Sequence, residues 1–146
     1  MRVLVQRSLN SSVSVSNKTV GSILKGMVLF VGFTHNDKVE DIDYLVKKIN
    51  ILRIFEDENG NMNLSINDIG GEILSISQFT LYGDAKNGNR PSFTEAMKYD
   101  ETSNMYDIFN QKLKEKGLKV ETGIFGADMK VSITNDGPVT ILLESR

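Results

Sequence analysis

Apolar and polar positions alternate through the first third of the chain. Between Arg2 and Leu9, Val3, Val5 and Arg7 fall on one face. Ser12-Val13-Ser14-Val15-Ser16 alternates cleanly, the mark of a half-buried strand. Thr19 to Lys25 and Met27 to Phe33 follow, separated by Gly26. These four segments predict a meander of strands. The period then changes. Val39, Ile42, Val46 and Ile49 recur at helical spacing, with Leu45 and Leu52 beside them. Asp37, with Glu40 three residues on, resembles a capping box with Asp in the Ser/Thr place, so a helix is predicted to open there.

A strand is predicted through Arg53-Ile54-Phe55, then turns at Asn59-Gly60-Asn61 and Gly70-Gly71. The apolar run Ile73 to Tyr82 reads as another strand, and the polar segment Asp84 to Pro91 as a loop. A second helix is expected from about Asp100 to Lys116. Met105, Phe109 and Leu113 are spaced by four, and Gly117 suits the residue just past its end. Strands over Leu118–Glu121, Met129–Thr134 and Val139–Leu143 close the chain. Strands outnumber helices and are mostly sequential. The expected fold is α+β: one domain with a mixed, largely antiparallel sheet curling toward a barrel and two main helices packed on it.

Composition narrows the function. The 146 residues fit one domain, with 40% hydrophobic and 25% charged residues. There is no cysteine, which removes disulfides, thiolate metal sites and a Cys nucleophile, and fits a reducing compartment. No stretch approaches the roughly 20 apolar residues of a membrane span, and the N-terminal apolar run, broken at Gln6, is short for a signal peptide. A cytosolic protein is expected. The net charge of −2 and the scattered lysines argue against general DNA binding, which draws on many cation–phosphate contacts. They leave open a grip on the end of an RNA.

Most catalytic sets are missing. The single histidine, His35, sits in a polar turn, which leaves a Ser–His–Asp triad without support. There is no HExxH, no Cys/His cluster and no phosphate-binding glycine loop. Glu56-Asp57-Glu58 reads as solvated residues before a turn. Neither a metal nor a cofactor is expected. Two features remain. Ser77, Gln78 and Thr80 interrupt the apolar run; as a strand they place Ser77, Phe79 and Leu81 on one face and Gln78, Thr80 and Tyr82 on the other. They suit either a site or a half-buried strand whose polar groups bond neighbouring backbone. Asn135-Asp136-Gly137-Pro138 contains one of only two prolines and reads as a hairpin turn between Val131–Thr134 and Val139–Leu142.

These two segments carry a resemblance. Ser77-Gln78-Phe79-Thr80-Leu81 is similar to the SQFTL motif of the D-aminoacyl-tRNA deacylase family, and Asn135 through Thr140 to its NxxPxT motif, with Gly137-Pro138 as a Gly-cisPro pair. Further matches are Met1-Arg2-Val3 with Gln6-Arg7, Leu52 to Asp57, Gly60 to Asn63, Arg90 to Phe93, and Thr122-Gly123 with Phe125 to Met129. Asn89 and Gly83 depart from residues common in the family, Arg and Ala. The resemblance implies a homodimer with active sites at the subunit interface, hydrolysing the ester between a D-amino acid and the 3′ end of tRNA. Glycyl-tRNA mischarged on tRNA-Ala is implied as a further substrate. Ser77, Gln78, Phe79 and Thr80 are the implied catalytic segment. Gly137 and Pro138 of one chain are implied to reach into its partner's site and exclude the L configuration. Arg7, Asn135 and Thr140 are implied as supports, and Phe125, Gly126, Ala127 and Met129 as walls of the adenosine pocket.

Two mechanisms then compete. Thr80 could act as a covalent nucleophile, although no base lies near it in sequence. Alternatively the protein positions the labile ester and a water, with hydrogen-bond donors, among them the Phe79 amide, aimed at the developing oxyanion. The second is expected. The rival from another class is a nucleic-acid-binding or interaction module without catalysis.

Overall fold

The longest elements of the molecule are two strands that run side by side. The computed structural model describes residues 1–146. Strand β1 (Arg2–Val15) occupies the centre, and β8 (Lys130–Glu144) lies antiparallel along one edge of it. Along its other edge β1 pairs first with β3 (Gly26–Gly32) and then with β2 (Lys18–Ile23), both antiparallel. Strands β6 (Glu72–Ser77) and β7 (Lys119–Thr122) extend the sheet in parallel from β3. The sheet curls until β2 approaches β7. A Cβ on Gly21 would stand 2.6 Å from the Thr122 carbonyl oxygen, so a glycine permits this near closure. Strands β4 (Phe55–Glu56) and β5 (Met62–Leu64) form a separate small hairpin around the expected Gly60 turn.

Helix α1 (Val39–Ile51) buries Ile42, Leu45, Val46 and Ile49. Helix α2 (Tyr99–Glu115) buries Tyr106, Phe109 and Leu113. Both pack with Val3, Val5, Met27, Leu29 and Val31 in the main core. A second cluster, Val13, Ile23, Val28, Leu74 and Ile76, fills the other side of the sheet, inside the curl. Strand β3 is therefore buried on both sides, which explains its unbroken apolar sequence. The expected α+β fold, a mixed sheet with two helices, is what forms.

Four local expectations need correction. Arg2–Leu9 and Ser12–Ser16 are not two strands of a meander but one continuous β1, whose register against β8 shifts around Ser8. Helix α1 does not open at Asp37. Lys38 is its N-cap, and the Asp41 carboxylate accepts the Lys38 amide at 2.8 Å. Asp37 is instead buried, accepting the Met1 ammonium at 2.7 Å and the Thr34 amide at 2.7 Å. The apolar run from Ile73 does not stay extended to Tyr82: β6 ends at Ser77, and Phe79–Tyr82 is a 3-10 helix. Finally, Asn135 to Pro138 is not a hairpin turn. Both flanks belong to β8 and both pair with β1, so the segment is an irregularity in one long strand.

Candidate active site

Strand β6 delivers its last residue, Ser77, to the mouth of the barrel curl, and the chain then tightens. The Gln78 amide donates to the Val31 carbonyl at 2.7 Å, the last tie to the sheet. The Leu81 amide turns back to the Gln78 carbonyl at 3.3 Å and the Gly83 amide to the Thr80 carbonyl at 3.0 Å. The amides of Phe79 and Thr80 open this turn, where the first N–H groups of a helix have no intrahelical acceptor. The strand alternation expected of Gln78 and Thr80 is lost, and the Gln78 side-chain amide donates directly to the Thr80 hydroxyl. Phe79 is half exposed and stands edge-on to Phe93, with centroids 5.1 Å apart.

Beside this segment lies a cavity of about 510 Å³, within the range of small-molecule sites. Ser77, Gln78 and Phe79 form one wall, and Phe125, Gly126, Ala127 and Met129 another. Ile76 and Val131 continue the apolar interior of the sheet into it. Every residue lining this cavity is uncharged. Thr80 does not line the cavity and reaches it only through Gln78. Sequence reasoning missed the third wall, Met97, Tyr99 and Thr102. Its one visible sign was a pair of large side chains, Met97 and Tyr99, just before the helical pattern began.

The second group of predicted residues lies apart, on β8 and its neighbour β1. The Gly137–Pro138 peptide is cis, and both residues are exposed. Arg7 is 5% exposed and holds the segment from below. Its Nε donates to the Asp136 carbonyl at 3.0 Å and its Nη1 to the Ile54 carbonyl at 2.9 Å. Asn135 clamps the loop across its base: its Nδ2 donates to the Thr140 hydroxyl at 2.9 Å, and its Oδ1 accepts the Val139 amide at 3.1 Å. Gly137 has φ +127°, and a Cβ there would stand 2.9 Å from Arg7 Nη2 and 2.8 Å from Val139 Cγ2. None of Arg7, Asn135, Gly137, Pro138 or Thr140 lines the cavity of the same chain.

Three further polar groups form their hydrogen bonds away from this cavity. His35 lies on the surface against the Thr94 carbonyl at 2.7 Å. Asp57 caps its own turn, accepting the amides of Asn59 and Asn61 at 2.9 and 3.0 Å. Burial raises the Tyr106 hydroxyl above the ordinary tyrosine range, and it donates to the Ser75 carbonyl at 2.8 Å.

Comparison with known proteins decides the family. The family model described as D-Tyr-tRNA(Tyr) deacylase matches residues 4–144. The chain belongs to the D-Tyr-tRNA(Tyr) deacylase family. It is 56% identical over 146 residues to a D-aminoacyl-tRNA deacylase of Geobacillus sp. (strain WCH70), covering 100% of this chain and 96% of that one. It is 54% identical over 145 residues to a D-aminoacyl-tRNA deacylase of Clostridioides difficile (strain 630), covering 99% and 97%. Among solved structures it is similar to a c-Myc DNA unwinding element binding protein, with a TM-score of 0.94 and 39% identity over 100% of this chain and 99% of that one. The whole architecture of this deacylase-family chain, cavity and β8 segment included, thus falls within the matched length.

Proposed function

We propose that this chain hydrolyses the ester linking a D-amino acid to the 3′ end of tRNA, and that it does so by positioning rather than by covalent catalysis. The observation that carries the mechanism is the uncharged cavity beside Ser77–Phe79. A general base or an activated nucleophile needs a titratable partner within hydrogen-bond reach. Thr80 has only the Gln78 amide, a donor, which cannot take its proton. What the segment offers is a set of donors at the cavity wall, among them the Phe79 amide and the Ser77 hydroxyl. An ester carbonyl placed against them would have its developing negative charge stabilised, and losing one such donor typically costs about 10²–10³ in rate. The vicinal 2′-hydroxyl of the terminal ribose then helps to activate water on a bond that is already labile.

The Gly137-Pro138 segment is exposed, braced from below and away from its own chain's cavity. That placement supports a homodimer in which each chain lends this pair to the other's site. There it excludes L side chains by contact, while glycine, with no side chain, passes, so glycyl-tRNA is a further substrate. The tRNA substrate places the protein in the cytosol.

The nucleic-acid-binding reading takes support from the 39%-identical structural relative, a c-Myc DNA unwinding element binding protein. The net charge of −2 argues against it. One assay separates the two: D-tyrosyl-tRNA incubated with catalytic amounts of the protein. Release of D-tyrosine over many turnovers is expected. A binder without catalysis leaves the ester intact or protects it, and that result overturns the proposal.

A further inference from the structure

Tyr99 is the first residue of α2 and 62% exposed, an unusual place for a large aromatic ring with an apolar cavity beside it. It does not project freely. Its centroid lies 4.9 Å from Phe125 at a 58° tilt, and Phe125 lies 5.9 Å from the buried Tyr106. The Tyr106 hydroxyl is in turn tied to the Ser75 carbonyl in β6, two residues before Ser77. A chain of three rings therefore runs from the strand that ends at the site out to the cavity rim. Gly126 gives Tyr99 its seat. With φ +77° and no side chain, it lets the ring lie against the backbone; a Cβ there would stand 2.4 Å from the Tyr99 oxygen. The polar group beside the ring is already committed, because the Thr102 hydroxyl donates to the Met97 and Lys98 carbonyls at 3.2 and 2.8 Å. This end of the cavity thus offers flat apolar surface and little side-chain hydrogen bonding.

We infer that Tyr99 is a stacking wall for the terminal nucleobase of the RNA 3′ end, and so a determinant of substrate binding but not of the chemical step. The inference rests on the deacylase reading: an ester held at Ser77–Phe79 leaves its adenosine to occupy the rest of the same cavity. A base has a flat face that an aromatic ring covers without reading sequence, and such stacking is worth about 1–3 kcal/mol per base, or about 5- to 150-fold in affinity.

The test is single-turnover deacylation of D-tyrosyl-tRNA by wild type, Tyr99→Ala and Tyr99→Phe, with the concentration for half-maximal rate and the maximal rate resolved separately. Binding of the non-hydrolysable 3′-amide analogue of D-tyrosyl-adenosine is measured beside it. Tyr99→Ala should raise the half-maximal concentration and the analogue's Kd by the same factor, about 5- to 150-fold, with an unchanged maximal rate. Tyr99→Phe keeps the ring and should match wild type in both. A Tyr99→Ala loss confined to the maximal rate, an unchanged analogue Kd, or a Tyr99→Phe as impaired as Tyr99→Ala would overturn the inference. A wild type that neither hydrolyses D-tyrosyl-tRNA nor binds the analogue would instead sink the reading beneath it.

Discussion

Arg7→Ala is the substitution whose cost follows most directly from the geometry. Arg7 is 5% exposed, and its guanidinium donates to two carbonyls from distant parts of the chain, Ile54 and Asp136. Its nearby carboxylates, Asp136 Oδ2 at 3.4 Å and Glu56 Oε1 at 3.9 Å, belong to side chains that are 40% and 58% exposed, so water screens most of that attraction. The hydrogen bonds decide the sum. Leaving a buried acceptor unpaired costs about 1–3 kcal/mol. The Ile54 bond is buried and bears the full cost, whereas the Asp136 carbonyl, only partly buried, recovers some hydration. The expected loss is about 2–4 kcal/mol, or about 4–16 °C in Tm for a chain of this size. Urea unfolding of wild type, Arg7→Ala and Arg7→Lys measures it. Lysine should recover only part, since an ammonium on one stem cannot reproduce the divergent fork. An Arg7→Ala stability within about 0.5 kcal/mol of wild type, the range of an ordinary surface change, would refute the reasoning.

Thr80→Ala and Thr80→Val should deacylate D-aminoacyl-tRNA in single turnover within about tenfold of wild type, because the backbone donors remain; an acyl-enzyme trapped on Thr80 would contradict this. Gly137→Ala places a Cβ against Arg7 and Val139 at a φ of +127°. It should cost about 1–3 kcal/mol and lower D-specific turnover, whereas a wild-type urea midpoint and wild-type turnover together would count against the account. Stability should also fall in acid. Hydrogen bonds from Lys119 to Glu72, from the Asn61 amide to Asp57 and from the Ser65 amide to Asp68 hold these carboxyls below their ordinary values. A folded-state value below the unfolded one means their stabilisation is complete above the ordinary carboxylate range and is lost as pH falls from that range through the lower folded-state values. Urea midpoints should therefore be level from neutrality down to about pH 5 and drop below about pH 4; a midpoint that holds at low pH would refute the assignment.

The sequence was legible where one period had one cause. The spacing of Ile42, Leu45, Val46 and Ile49 gave α1, because a single face meets the sheet. Gly117, with φ +83°, ended α2 where its chemistry required. The errors came where tertiary contacts overrode local pattern. Asn135-Asp136-Gly137-Pro138 has turn chemistry, yet β1 pairs with both of its flanks and Arg7 holds its backbone, neither of which is visible in a local window. Ile73 to Tyr82 looks uniformly extended, but the sheet partner β3 ends at Gly32, and past Ser77 no strand remains to hold an extended chain. The candidate site divided the same way. Ser77 to Phe79 and Phe125, Gly126, Ala127 and Met129 were singled out through their motifs, and all of them line one cavity. Tyr99 was not found, because its role depends on Gly126 and Phe125, far away in sequence.

The central claim is that an uncharged site hydrolyses the ester while a separate segment chooses its configuration. Matched D- and L-tyrosyl-tRNA, each incubated with the protein at limiting concentration and followed by release of free tyrosine, test it directly. The account predicts turnover of the D ester and survival of the L ester at its uncatalysed rate. Equal turnover of both, or of neither, would contradict it.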